Sequence, residues 1–294
     1  MSVIHDLGYK RYAGPRRAAG TRWLVIMANQ ISTAWKTWWR LKLGFAMAVV
    51  TTCIAGGVMF ILKDKQVTNI FGTVASTFAD YTLPKSIQWY TRASFLVSLT
   101  IGAAVIAGDV KSGAFTFYFS RSVRPRDYIL GKLTGMIGIM ALVGLAGPVA
   151  LSIARLGLAR DTEELVALLP LIPKAFAMGL FSAMVFATVP MMFSSLFANP
   201  RHAIAVWAAY YLVFGFAVSR LGRVTLSWIG VLDISTSLDA IAIELFDLRL
   251  LRGRAGHLDP DQAMISIAIH VIAAIAIISL QVRRAHGSGV GGTS

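Results

Sequence analysis

The sequence predicts an all-α membrane protein: six transmembrane helices, preceded by an amphipathic helix lying in the membrane interface. Three observations lead there. Of 294 residues, 56% are hydrophobic and only 14% are charged, against about a quarter charged in an ordinary soluble domain. The mean hydropathy is +0.66. The apolar residues gather into six runs, most of them near the ~20 residues that carry a helix across hydrocarbon.

The first unit is 1–42. Residues 1–19, MSVIHDLGYKRYAGPRRAA, are polar and basic and read as a cytoplasmic tail. No short apolar core with a small-residue cleavage site follows, and Arg16-Arg17 lacks the apolar context of a twin-arginine signal. From residue 20 the pattern changes. Leu24, Met27, Ile31, Trp35 and Trp38 recur at spacings of three and four, while Lys36, Arg40 and Lys42 lie elsewhere around the helix. That is the pattern of a helix resting in the headgroup region.

The transmembrane domain is 43–282, with spans expected at 43–62, 93–107, 133–156, 174–197, 202–218 and 264–282. The second is short alone and reaches full length if 88–92 begin it in the interface. Before it, 63–92 reads as a polar stretch with turn formers Gly72 and Pro84. Pro148 is expected to bend the third span, and Asn199-Pro200-Arg201 to turn the chain into the fifth. The segment 219–263 is apolar but broken by Asp233, Asp239, Glu244 and Asp247. A central charge costs about 3 kcal/mol in a span, so this segment reads as short helices on, or dipping into, the outer face. A tail, 283–294, follows the last span.

Six spans place both termini on one side. That side holds sixteen Lys and Arg against Asp6, Asp109 and Asp127, leaving 12 of the 28 cations and 11 of the 14 acids opposite. By the positive-inside rule the cation-rich face is cytoplasmic. The formal charge of +14 is thus topological, and nucleic acid is not implied.

Recognisable catalytic chemistry is sparse. There is no GxxxxGK[ST] phosphate loop, because Gly131-Lys132 lacks the earlier glycine and Leu133 follows. The five histidines show no ligand spacing, so no metal site and no catalytic residue is predicted. Cys53 is alone in an apolar run and reads as a small packing residue. His270 lies deep in the sixth span; an intramembrane ionisable group is a functional candidate, and a neutral histidine hydrogen-bonded between helices is the simpler account.

The loop between spans two and three, 107–132, is the one internal segment both basic and aromatic. Asp109 and Lys111 lead into Phe115, Phe117, Tyr118 and Phe119, then Arg121, Arg124-Pro125-Arg126, and Leu130-Gly131-Lys132 opens the next span. One reading is a cytoplasmic loop with its rings at headgroup level and its cations facing lipid phosphate. Gly131, Gly135 and Gly138 are candidates for close helix packing, where van der Waals contact replaces the hydrophobic effect.

An acidic residue, a small-residue step at Gly113, an aromatic stretch, a basic Pro turn and Leu130-Gly131-Lys132 together resemble the permeases of ABC-2 type transporters. The resemblance implies the type V exporter-like architecture, with the interfacial helix before span one and half-membrane helices between the last two spans. It implies that the loop is a coupling helix fitting a groove on an ATP-binding subunit, with Asp109, Lys111, Phe115, Tyr118, Phe119, Arg121 and Arg124 as the docking residues. ATP and magnesium would then be bound by two partner ATPase copies, with no cofactor in this chain and no catalysis by it. A second permease copy is expected, as a homodimer in preference to a heterodimer, in a bacterial inner membrane with both termini cytoplasmic. Against this stand an ATP-independent transporter, a membrane-embedded enzyme and a scaffold. An enzyme needs convergent polar groups, and a secondary carrier commonly shows inverted repeats and mid-span charges. Neither pattern is visible, and no residue selects a substrate.

Overall fold

A backbone in hydrocarbon must satisfy its own N–H and C=O groups, and this chain does so with helices. The computed structural model describes residues 19–36, 38–119, 123–224, 226–247 and 258–287. Among them there is no strand. Six stretches are long and apolar enough to cross a membrane: Leu41–Lys63, Thr77–Lys111, Pro125–Gly157, Thr162–Leu196, Pro200–Val224 and Pro260–Gly287. The protein is a multi-pass membrane protein.

Helix α1 is Arg22–Lys36 and α2, Trp38–Lys63, carries the first span. A short α3, Lys65–Phe71, leads through Gly72, at φ +58°, into α4, Thr73–Thr100. The segment expected as polar connection is therefore mostly helix, and Pro84 lies inside α4 rather than at a turn. Two of its polar residues find partners on other helices: the Thr52 and Tyr90 hydroxyls stand 2.7 Å apart, and Gln88 Nε2 donates to Asp239 at 3.1 Å.

The second span does not run straight through as one α-helix. After α4 a 3-10 turn, Gly102–Ala104, precedes α5, Val105–Lys111. The amides of Ile106 and Ala107 both donate to Ser194 Oγ at 3.0 Å. Orphan donors at a helix start need such acceptors, and Ala104 at the cap has none to offer. The turn lies against Pro190, whose ring would stand 3.2 Å from a Cβ placed on Gly102.

Next come α6, Ala114–Phe119, and the third span, made of α7, Pro125–Gly144, and α8, Ala146–Gly157. The interruption at Leu145 follows from Pro148, which lacks the N–H that would bond Gly144. The fourth span joins α9, Thr162–Leu168, to α10, Leu171–Leu196. The fifth joins α11, Pro200–Ala208, a π-helical segment Ala209–Phe214 and α12, Gly215–Val224. Asn199 caps α11 by accepting from the Arg201 amide at 3.1 Å, with Pro200 in the first helical position. Between the last spans lie α13, Ser227–Gly230, and α14, Ile234–Leu245; the closing helix is α15, Pro260–Gly287. The last helix runs past 282, so the expected tail begins later. Residues 1–18 and 288–294 lie outside the described residues.

Helix α10 is central, packing against α4, α7, α8, α11 and α15. All of Val185 to Met191 is buried. Small residues permit this: a Cβ on Gly179 would stand 2.8 Å from Leu145 Cα, and one on Gly147 would enter the Tyr90 ring. Span one is peripheral. It turns Ala48, Ala55 and Met59 inward while Leu43, Val50, Ile54 and Phe60 are exposed. Cys53 is exposed too, so it is not the packing residue expected.

Candidate functional site

The loop between spans two and three is built on Tyr128. Arg124 precedes α7, with Pro125 at its first position, and Asp127 Oδ2 accepts from the Arg124 amide at 3.4 Å. That start places Tyr128 and Lys132 one turn apart on the same helix face. Gly113, at φ +71°, closes the end of α5 and turns the chain into α6. A left-handed residue there costs glycine nothing.

The rings of α6 close on that hub. Phe115 lies edge-on to Tyr128 with centroids 5.1 Å apart, Tyr118 is at 5.5 Å and Phe119 at 6.0 Å. Phe119 also meets His286, at the end of span six, at 5.1 Å. Beneath the rings the Tyr128 hydroxyl donates to Asp109 Oδ2 at 2.7 Å, and Lys132 Nζ lies 2.7 Å from the same oxygen. Lys132 donates further to Gln30 Oε1 at 3.1 Å. One carboxylate thus joins span two to Tyr128 and Lys132 of span three, and through them α6 packs on Tyr128 and α1 bonds Lys132. Lys132 is only 4% exposed. Such a buried pair gains little over an apolar pair but is costly to break from one side. Burial, helped by the Asp109 carboxylate, raises the Tyr118 phenol above its ordinary value.

The proposed docking residues therefore divide. Phe115 is buried at 4% exposure and turned to the hub, Tyr118 and Phe119 are half-buried, and Asp109 is ion-paired inward. Lys111 and Arg124 are exposed, and Arg121 lies outside the described residues. The outward ring is Phe117, 56% exposed. Tyr128 and Gln30 were not singled out from sequence. Their one sequence signal is spacing: Tyr128 with Lys132, and Gln30 as the polar member of Ile26, Gln30 and Ala34, the buried residues of α1.

The glycines divide similarly. A Cβ on Gly131 would stand 2.6 Å from Ile26 Cβ, and one on Gly135 would stand 3.0 Å from Gln30 Cγ. Both face α1. Nothing lies within 4 Å of a Cβ on Gly138. Helix α1 has three faces. Ile26, Gln30 and Ala34 pack inward, while Leu24, Ile31 and Trp35 form an exposed apolar stripe. The stripe lies roughly 100° away around the axis, and Arg22 and Lys36 fall on a third side.

At the opposite end of span two lies a groove of about 1040 Å³ between α2, α4 and α14. Its walls include Val50, Ile54, Phe78, Tyr81 and Trp89, with Asp239 and Lys85 as charged groups. Near the far ends of spans one and three, Glu164 Oε1 accepts from Lys63 Nζ and Arg155 Nη2, each at 2.8 Å. His270 bonds between helices, with Nε2 2.6 Å from the Tyr210 hydroxyl and Nδ1 2.7 Å from the Ser266 carbonyl. A donor at Nδ1 to that carbonyl leaves Nε2 to accept from Tyr210, the neutral arrangement. Among the described residues no group of His, Cys, Asp and Glu could hold a metal ion.

No protein-family model matches the chain, and no curated protein matches it.

Proposed function

We propose that this chain is the membrane-spanning subunit of an ATP-binding cassette exporter of the ABC-2 permease type, worked from its cation-rich, cytoplasmic face by separate ATPase subunits. The observation that carries the reading is the mounting of α6. This short helix is braced by Phe115 against Tyr128 and by Phe119 against His286, while Phe117 stays exposed. Exposed Lys111, Arg124 and Arg126 flank it. A force applied there reaches spans two, three and six together, because Asp109, Tyr128 and Lys132 tie the first two. A lever of that kind suits an exporter whose motor is another chain.

In this reading two permease copies enclose the path, and the exposed apolar side of span one supplies surface for lipid or for the second copy. ATP-driven closure of the motors displaces α6, and the spans change between two packings, one open to each side. The apolar groove at the outer end suits a substrate with substantial apolar surface.

The experiment is affinity purification of the full chain from its native membranes in mild detergent. A phosphate-loop ATPase subunit and ATP hydrolysis are expected to co-purify. Phe117→Glu combined with Arg124→Glu is expected to abolish both while the chain still inserts, since neither side chain is buried. Co-purification unchanged by the pair, or a transport-competent chain without any such subunit, overturns the proposal.

A further inference from the structure

A second cavity, about 500 Å³, lies beside the Asp109 network between α1, span two, the start of span three and the start of span five. Lys111, Lys132 and Arg201 line it against a single acid, Asp109. Asp109 and Lys132 neutralise one another at 2.7 Å. Lys111 and Arg201 remain, both exposed, and among the described residues neither has an ion-pair partner. Asn29, Thr33 and Asn199 add amide and hydroxyl groups to the lining. Two unneutralised cations lining one cavity favour a doubly liganded anion.

Position selects the kind of anion. Lys111 ends span two and Arg201 follows Pro200 at the start of span five, and the ends of spans meet the headgroup region. The cavity borders α1, whose exposed Leu24, Ile31 and Trp35 mark a helix in the interface. Basic pockets between spans on the cytoplasmic side hold anionic headgroups. The volume is ample for a headgroup, within the ~300–1,000 Å³ of small-molecule sites. A Cβ on Gly108, in the cavity lining, would meet no atom within 4 Å, which leaves bare backbone open to a ligand there.

The geometry points to a binding site for an anionic phospholipid of the cation-rich leaflet, its phosphate held between Lys111 and Arg201 beside α1. Bound there, the lipid bridges span two, span five and α1. It therefore favours whichever packing keeps the three together. The site does not depend on an ATPase docking at α6.

The test uses the full chain, delipidated in detergent, and reads Tm during titration with phosphatidylglycerol, phosphatidylcholine or inorganic phosphate. Phosphatidylglycerol is expected to raise Tm saturably, and the other two are not. Lys111→Ala with Arg201→Ala is expected to raise the half-saturating concentration about 30-fold, the factor two cations supply at an anionic surface. Gly108→Leu, whose Cβ would meet no atom within 4 Å and whose side chain would take up part of the cavity, is expected to weaken the response too. Arg283→Ala, a cation outside the cavity lining, is expected to leave it unchanged. An undiminished phosphatidylglycerol response in both cavity variants refutes the site. An equal response to phosphatidylcholine refutes the charge selection, and a full response to inorganic phosphate refutes the lipid.

Discussion

Lys132→Met isolates the bond that joins span two to span three. The ammonium is 5% exposed as a side chain and its partner Asp109 is 18% exposed. Without it the carboxylate keeps the Tyr128 hydroxyl as its described contact, and Gln30 Oε1 loses its donor. Breaking a buried pair from one side costs about 3–5 kcal/mol. Residual solvent access and Tyr128 place this case near about 3 kcal/mol. At roughly 2–3 °C per kcal/mol for a chain of this size, Tm should fall by about 6–9 °C. Adding Asp109→Asn removes the stranded charge, so the double variant should recover much of the loss, with a coupling of about 2 kcal/mol. The assay is heat treatment of purified protein in detergent, followed by the monodisperse fraction on gel filtration. If Lys132→Met and Asp109→Asn each stay within about 1 °C of wild type, the pair does not brace the spans and the reasoning fails.

Gly131→Ala should cost about 1–3 kcal/mol by overpacking, because the new methyl would meet Ile26 Cβ at 2.6 Å and the Trp23 carbonyl oxygen at 2.7 Å. Gly138→Ala should be neutral or stabilising by up to about 1 kcal/mol, since nothing lies within 4 Å and alanine favours helix; equal melting of the two variants would contradict this. Asp233 caps α14, accepting from the Ser235 amide at 3.1 Å and from the Thr236 hydroxyl, and burial raises its carboxyl pKa despite those bonds. A folded value above the unfolded one means the bound proton favours the fold. That contribution is present below the unfolded pKa and is lost as pH rises through the folded one. Asp233→Asn, which keeps an accepting oxygen, should therefore flatten the fall of Tm from pH 4 to 8, and an unchanged slope would refute it.

Much of the architecture was legible because lipid constrains sequence strongly. A span must be long and apolar, and cations gather at span ends on one side. The six runs, the amphipathic lead-in and the short helices α13 and α14 between the last two spans follow from those constraints alone, although 219–224, expected outside the spans, complete the fifth. Boundaries were less legible. Polar residues of 77–92 read as connection, yet Thr52 with Tyr90 and Gln88 with Asp239 supply partners 38 and 151 residues away. Periodicity has no access to such distant partners.

Sequence by itself determined that this chain has six stretches apolar and long enough to cross a membrane, with a basic aromatic loop between the second and third. Only the tertiary structure decided which way that loop faces. The Phe115 ring turns inward because Tyr128 offers an edge, and Asp109 turns inward because Lys132 offers a charge. Gly131 and Gly138 carry the same missing side chain, yet only the first has a neighbouring helix against it. Composition fixes what a residue can contact. Long-range packing fixes what it does contact, and in this protein that decides between a free surface loop and one packed against the spans.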